Sequence, residues 1–299
     1  MGEVEFTRKK RLEGKKSAIN RMWTVIWDFA KEKPLGAAAG GIFLVMIIVA
    51  IIGPWITPYD PLATNVLEKL LPPCSKYWLG TDHIGRDILS RLIAGTRTAL
   101  MIGVTASFVG STVGALLGII SGYFGSRVDM VMQRFMDMIM AFPSLILAIA
   151  IMAVLGKSIP NVIIAIAFPI IPQSNRIARS IAMSVREFVF IEAARAVGAS
   201  QTRIIFRHVL PNAVAAYLIV LTAALGMSIL AEASLSFLGL GVPAPYPAWG
   251  RELYEAMRYF YGAPWLAIFP GIAISLAVFG ANLFGDALRD KLDPRLKRV

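Results

Sequence analysis

FIEAARAVGASQTRIIFRHVLPN, residues 190–212, is polar and basic yet lies between two long apolar runs. Residues 191–197 read as an Ala-rich helix, with Glu192 and Arg195 at i and i+3, where they can pair. Gly198 breaks that pattern, because a residue without Cβ takes the positive-φ backbone that ends a helix. Ser200 is placed to cap a second short helix carrying Arg203, Ile204, Ile205 and Arg207. Pro211 suits the first turn of a following helix, where its missing N–H is not needed. The stretch therefore predicts a helix–turn–helix between two membrane spans. A plain interfacial loop, basic because cytoplasmic loops are, accounts for the same residues on physics alone.

Around this loop the chain is 57% hydrophobic and 16% charged over 299 residues, with the charges segregated. That is the balance of a polytopic membrane protein. A net charge of +11 would suit nucleic acid, but the basic residues sort by membrane side, so no nucleic-acid partner is expected. The single cysteine, Cys74, excludes an intrachain disulfide and a multi-cysteine metal site, and no role is assigned to it. The basic stretch 8–16 precedes an apolar run about twice as long as a signal-peptide core, without a small-x-small cleavage site before Pro54. It reads as a retained first span.

Six charge-free runs are long enough to cross a bilayer, which takes about 17–25 helical residues: 35–56, 98–123, 138–155, 158–175, 209–230 and 265–285. The fourth contains Pro160, Pro169 and Pro172 and is expected to bend. With the N-terminus in the cytoplasm, 22 of the 30 lysines and arginines fall inside and 8 outside. The positive-inside rule thus favours both termini in the cytoplasm, together with the opening loop. The expected organisation is a cytoplasmic segment 1–34, a first span 35–56 and an extracytoplasmic segment 57–97. A core 98–285 follows, including the loop 176–210, and then a cytoplasmic tail 286–299.

Gly110, Gly114, Gly118 and Gly122, four apart in the second span, predict close packing on another helix. Arg86 to Thr96 is expected as a short amphipathic helix at the outer interface. Asp82 and His83 have metal-ligand chemistry, but with two histidines in the chain no metal site is expected. Gly156-Lys157-Ser158 lacks the earlier glycine of a phosphate-binding loop, Ile151 standing there, so no nucleotide is expected on this chain. Glu232 falls about 32 Å along the helix from Pro211, at the outer interface rather than the midplane. The aromatics between Tyr246 and Trp265 read first as an interfacial belt.

Glu192, Ala193, Ala194, then Gly198, then Leu210 and Pro211 resemble the EAA loop of permease subunits in binding-protein-dependent ABC importers. In that family the loop forms coupling helices that dock into a groove on the ATPase subunit. The resemblance implies an ATPase-coupling role for Glu192, Ala193, Ala194, Arg195, Gly198, Ala199, Arg203, Arg207, His208 and Pro211. His208 stands where the general pattern often has an aliphatic residue, and the Arg207–His208 pair resembles the peptide-importer branch. Leu79-Gly80-Thr81-Asp82, Gly85-Arg86-Asp87 and Ser90-Arg91, preceded by Asp60-Pro61-Leu62 and Pro72-Pro73, are similar to the signature of the second membrane subunit of dipeptide, oligopeptide and nickel importers. Gly239, Gly241, Pro243 and Trp249-Gly250 fit the same branch, as do Gly285, Asp286, Leu288, Arg289, Asp290, Asp293, Pro294 and Arg295.

The resemblance, to a C-type permease subunit, implies an all-α polytopic membrane protein with the type I ABC importer transmembrane domain of about six helices. It implies a prokaryotic plasma (inner) membrane, a homologous second permease subunit, and an extracytoplasmic solute-binding protein. It also implies two ATP-binding subunits, which hold ATP and Mg, so that this chain is non-catalytic and binds no cofactor. Asp82, Arg86, Asp87, Glu232 and Trp249 are candidates for an outer gate or a binding-protein contact. Peptide is the preferred substrate as the commonest branch, with nickel and oligosaccharide left open. A secondary transporter or channel would place charges mid-membrane for ion coupling, and these spans hold almost none. A membrane anchor for soluble partners would have no use for the external signatures.

Overall fold

The computed structural model describes residues 31–292; the basic stretch 8–16 and the closing Asp293, Pro294 and Arg295 lie outside the described residues. Among the described residues the chain is helical, with loops and no named strand. Helix α1 (Pro34–Ile56) opens on a proline in its first turn. It packs along the last helix, α11 (Trp265–Leu292), where Gly36 and Gly40 lie against Ala287 and Phe284. Its other faces leave Leu44, Val45 and Ile51 exposed, as a lipid-facing helix requires.

Helix α2 (Ile88–Phe124) is the axis of the bundle. Its 37 residues make a rod of about 55 Å, longer than a ~30 Å hydrocarbon core. No separate interfacial helix covers 86–96. Asp87 caps α2 by accepting the Ser90 N–H at 2.8 Å, and those residues form its first turns. Downstream, α5 (Ile159–Ala167), a 3₁₀ turn at Phe168–Ile170 and α6 (Ile171–Arg186) run parallel to α2, with Ala167, Ile171, Asn175 and Arg179 meeting Gly110, Gly114, Gly118 and Gly122 in that order. The glycine stripe faces them. A Cβ at Gly110 or Gly122 would lie 2.5 Å from the carbonyl oxygen of Ala167 or Arg179, and Gly114 and Gly118 abut those of Ile171 and Asn175 in the same way. Only residues without a side chain let the two backbones approach so closely.

Two of the six expected spans are not single apolar rods. The run 138–155 is broken at 141–143, where Pro143 cannot donate and disfavours a helical Phe142. Helices α3 (Ser126–Met140) and α4 (Ser144–Leu155) meet there at 90°. The run 158–175 is tightened at the 3₁₀ turn carrying Pro169, and the helix continues to Arg186 through polar residues. Among the described residues four helices are long and apolar enough to span a membrane, or five if the bent pair counts as one span.

After α6 come α7 (Val189–Ala196), α8 (Gln201–Ile204), α9 (Leu210–Phe237) and α10 (Trp249–Ala256). The up-and-down course brings the start of α1, the end of α2, and α7 to one end of the bundle. Lys33 and Asp290, 2.7 Å apart, join α1 to the last turns of α11 at that end. The 57–87 segment, α10 and the start of α11 share the other end, around Ile88, Ala256, Ala263 and Leu266.

Candidate functional site

The helix–turn–helix forms at one end of the bundle. Gly198 takes φ +80 with nothing within 4 Å of where a Cβ would stand, so backbone conformation and not space calls for glycine. Ser200 Oγ accepts the Arg203 N–H at 3.3 Å, capping α8. The second helix differs from expectation in that it does not end before Pro211. It passes through a π turn at Ile205–Val209 into α9, so that Gln201–Phe237 is one helix of 37 residues. Pro211 has no N–H for the carbonyl four residues back, and the wider turn absorbs that missing bond.

Ile191, Ile204 and Val209 are fully buried against Tyr123, Ala182 and Val185, which fixes the two helices on the bundle. The outer face shows Val189, Val197 (84% exposed) and Phe206 (61%). Covering such side chains is worth roughly 1.5–3 kcal/mol each. Glu192, Ala193, Arg195, Gly198, Arg203, Arg207 and Pro211 are exposed, and Ala194, Ala199 and His208 half-buried. The expected Glu192–Arg195 pair does not form. Arg195 lies over the Tyr123 ring at 5.6 Å instead, and the Tyr123 hydroxyl bonds Gln201. Among the described residues Arg203 and Arg207 make no ion pair within 4 Å. With Ala194, Gly198, Ala199 and His208 they line a groove of about 280 Å³. An apolar rim around unpaired cations is a surface prepared for a partner.

The opposite end is built the other way. Asp82 Oδ1 accepts the N–H groups of Ile84 and Arg86, both at 2.9 Å, folding the GTDHIGRD stretch back on itself. Its Oδ2 holds Arg86 Nε, while Arg86 Nη2 reaches Glu255 at 2.8 Å. Burial works against the Arg86 charge, but the carboxylates of Asp82, Glu252 and Glu255 raise its pKa above the ordinary value. Arg91, 1% exposed, gives Nε (2.9 Å) and Nη2 (2.5 Å) to Glu252 and Nη1 to the Pro61 carbonyl at 2.8 Å. Trp249 donates from Nε1 to the Leu92 carbonyl at 3.1 Å, and its indole covers Gly95. The two signatures, around 79–91 and 239–250, are thus halves of one clamp between the start of α2 and α10.

Asp82, Arg86, Asp87 and Trp249, the candidates for an outer gate or a binding-protein contact, all belong to this clamp and are buried. Glu232 is also buried. Ser236 Oγ donates to its Oε1 at 2.7 Å, and Gly250 closes over the neighbouring Ala233 carbonyl. Asp82, His83 and Glu255 offer three donor atoms within 4.8 Å of one another. The Arg86 guanidinium already bonds both carboxylates, so this cluster holds its own cation. The trace of Glu252 and Glu255 in the sequence is their one-turn spacing on a short helix, and nothing local ties them to Arg91 and Arg86, 161 and 169 residues away. Asp129 and Arg179, bidentate at 2.5 Å between α3 and α6, left no comparable trace.

An all-helical membrane bundle with an exposed helix–turn–helix at one end is the transmembrane domain of a type I ABC importer. Residues 114–298 match the family described as binding-protein-dependent transport system inner membrane component, and residues 21–73 match the N-terminal TM domain of oligopeptide transport permease C. The chain belongs to this family of inner-membrane permeases. It is 42% identical to the dipeptide transport system permease protein DppC of Alkalihalophilus pseudofirmus, over 92% of this chain and 90% of the relative. It is 43% identical to a putative peptide transport system permease protein of Brucella suis, over 86% of each chain. Against the glutathione transport system permease protein GsiD of Pectobacterium atrosepticum the identity is 40%, over 94% of this chain and 93% of the relative.

Proposed function

We propose that this chain is the permease subunit of a peptide-importing ABC transporter, forming half of the translocation pathway beside a homologous second permease. Two separate ATPase subunits hold ATP and Mg and dock on α7 and the start of the 201–237 helix, and this chain carries no catalytic step. A solute-binding protein delivers peptide at the opposite end. The observation that carries the reading is the exposed loop itself, with Val197 and Phe206 uncovered beside unpaired Arg203 and Arg207. The substrates for which the relatives are named, dipeptide, peptide and glutathione, support peptide as cargo. The chain's described ends lie at the loop end, which agrees with termini and loop sharing the cytoplasmic side.

In this scheme ATP closes the ATPase pair, moves α7, and favours one of two packed arrangements of the bundle. The test is affinity purification of the tagged chain from its own membranes, followed by reconstitution. Two nucleotide-binding chains and a second permease should co-purify, and peptide-loaded binding protein should stimulate ATP hydrolysis and peptide uptake. A chain that purifies alone and moves solute without ATP would refute the reading.

A further inference from the structure

We infer that Asp129 and Arg179 are positioning residues of the transport cycle: their ion pair docks α3 on α6 in this state and opens when the loop end moves. The inference rests on the reading of α7 as the ATPase port. Helix α3 is a separate rod between two breaks. At its start Gly125 (φ +63) and Ser126 (φ +49) both take left-handed backbone, and at its end lies the 90° bend. Its apolar hold on the bundle is slight. Only Met136 and Ile139 are buried, whereas Met130, Val131 and Met138 are more than half exposed.

A polar row holds it instead: Asp129, Gln133 and Asp137, successive turns on one face. Asp129 accepts Arg179 Nε and Nη2 and Ser121 Oγ, all at 2.5 Å. Gln133 Nε2 donates to Asn175 Oδ1 and to Ser121 Oγ, each at 3.0 Å. Asp137 meets Arg176 at 2.7 Å.

The receiving side is rigid. Asn175 and Arg179 turn their side chains to α3 and their carbonyls to Gly118 and Gly122 of α2, so the same residues sit in both seams. Helix α6 ends at Arg186 and α7 begins at Val189, which places Arg179 about two turns from the proposed port. The two seams differ in what can replace them. The Asp137–Arg176 pair is half-exposed and Asp129–Arg179 partly so, and water that enters as the seam opens can take over these polar contacts of α3. Nothing fills the gap if the glycine-to-carbonyl packing of α2 on α6 is pulled apart. Motion of α7 therefore carries α6 and α2 together, and the α3 seam is where the bundle parts.

The test uses the complete transporter in vesicles, with Cys74→Ser and spin labels at the exposed Met130 and Ser180. The wild-type distance between α3 and α6 should lengthen when ATP is bound. In Asp129→Asn and Arg179→Lys it should be long with and without ATP, and uptake per ATP hydrolysed should fall about tenfold, within the range of site-to-site coupling. The exchanged pair Asp129→Arg with Arg179→Asp should recover part of both. If these variants fail to assemble, cysteines at Gln133 and Asn175 joined by a short bismaleimide decide the matter: the locked transporter should bind ATP but not import. Unchanged distances with unchanged uptake per ATP, or full uptake in the locked form, would overturn the inference. Failure of wild type to import with ATP would instead defeat the functional reading.

Discussion

The two ends of this bundle use arginine in opposite ways. At the clamp, Arg86 and Arg91 are buried and enclosed by Asp82, Glu252 and Glu255, with no guanidinium edge left for a stranger. At the loop, Arg203 and Arg207 stand in the open beside exposed Val197 and Phe206. A buried cation without its carboxylate is costly, so the clamp's charges answer to the fold alone. An exposed cation costs the fold nothing, so the loop's charges are available to something outside it. The difference separates residues that hold the protein together from residues that connect it.

Breaking the comparison is easiest at the clamp. Arg91→Met should cost about 3–5 kcal/mol by stranding buried Glu252, read as a loss of thermal stability in detergent. Arg91→Met combined with Glu252→Leu should recover most of it; equal losses in single and double variants would mean the pair is not what binds α2 to α10. At the loop, Gly198→Ala meets no clash but forces a side chain into left-handed backbone, at about 1–2 kcal/mol. Binding-protein stimulation of ATP hydrolysis should drop while the chain still inserts. Val197→Asp and Phe206→Ser sharpen the contrast further. Each should leave stability within about 0.5 kcal/mol yet release the ATPase subunits on pull-down, and retention of those subunits would remove the loop from the interface.

The smallest effect lies at Glu68, outside the clamp. The hydrogen bonds from Lys76 and Tyr77 hold its carboxyl below the ordinary 4.5. Because the folded pKa is depressed, the tie is present above about 4.5 and is lost as pH falls through the lower folded value. Amide protection factors across 66–77 should therefore fall at the acid end of that window and stay flat from pH 5 to 8 in wild type. Glu68→Gln should remove the dependence.

What the sequence disclosed follows from what leaves a periodic or local mark. Gly198, Ser200 and the glycine stripe each act through their own backbone or a fixed spacing, and each is found in its expected conformation or packing. Helix ends differ from the apolar runs where a charge closes the run but not the helix. Arg91 and Arg179 sit inside helices because Glu252 and Asp129 neutralise them from distant parts of the chain, and no local pattern records that. The clamp was legible as two separate motifs but not as one object, since 161 residues separate Arg91 from Glu252. The break at 141–143 had a proline to announce it; the π turn before Pro211 had a proline too, but one equally suited to starting a helix.

That π turn has a mechanical consequence. By keeping Gln201–Phe237 unbroken it makes the loop and the far end of α9 parts of a single strut about 55 Å long, with Glu232 and Ser236 near its tip. A stiff strut converts angle into distance: a tilt of about 5° at one end carries the other through about 5 Å, nearly a helical turn's rise. A push too small to rearrange the loop itself is thus delivered, enlarged, beneath α10, without any intermediate having to change shape.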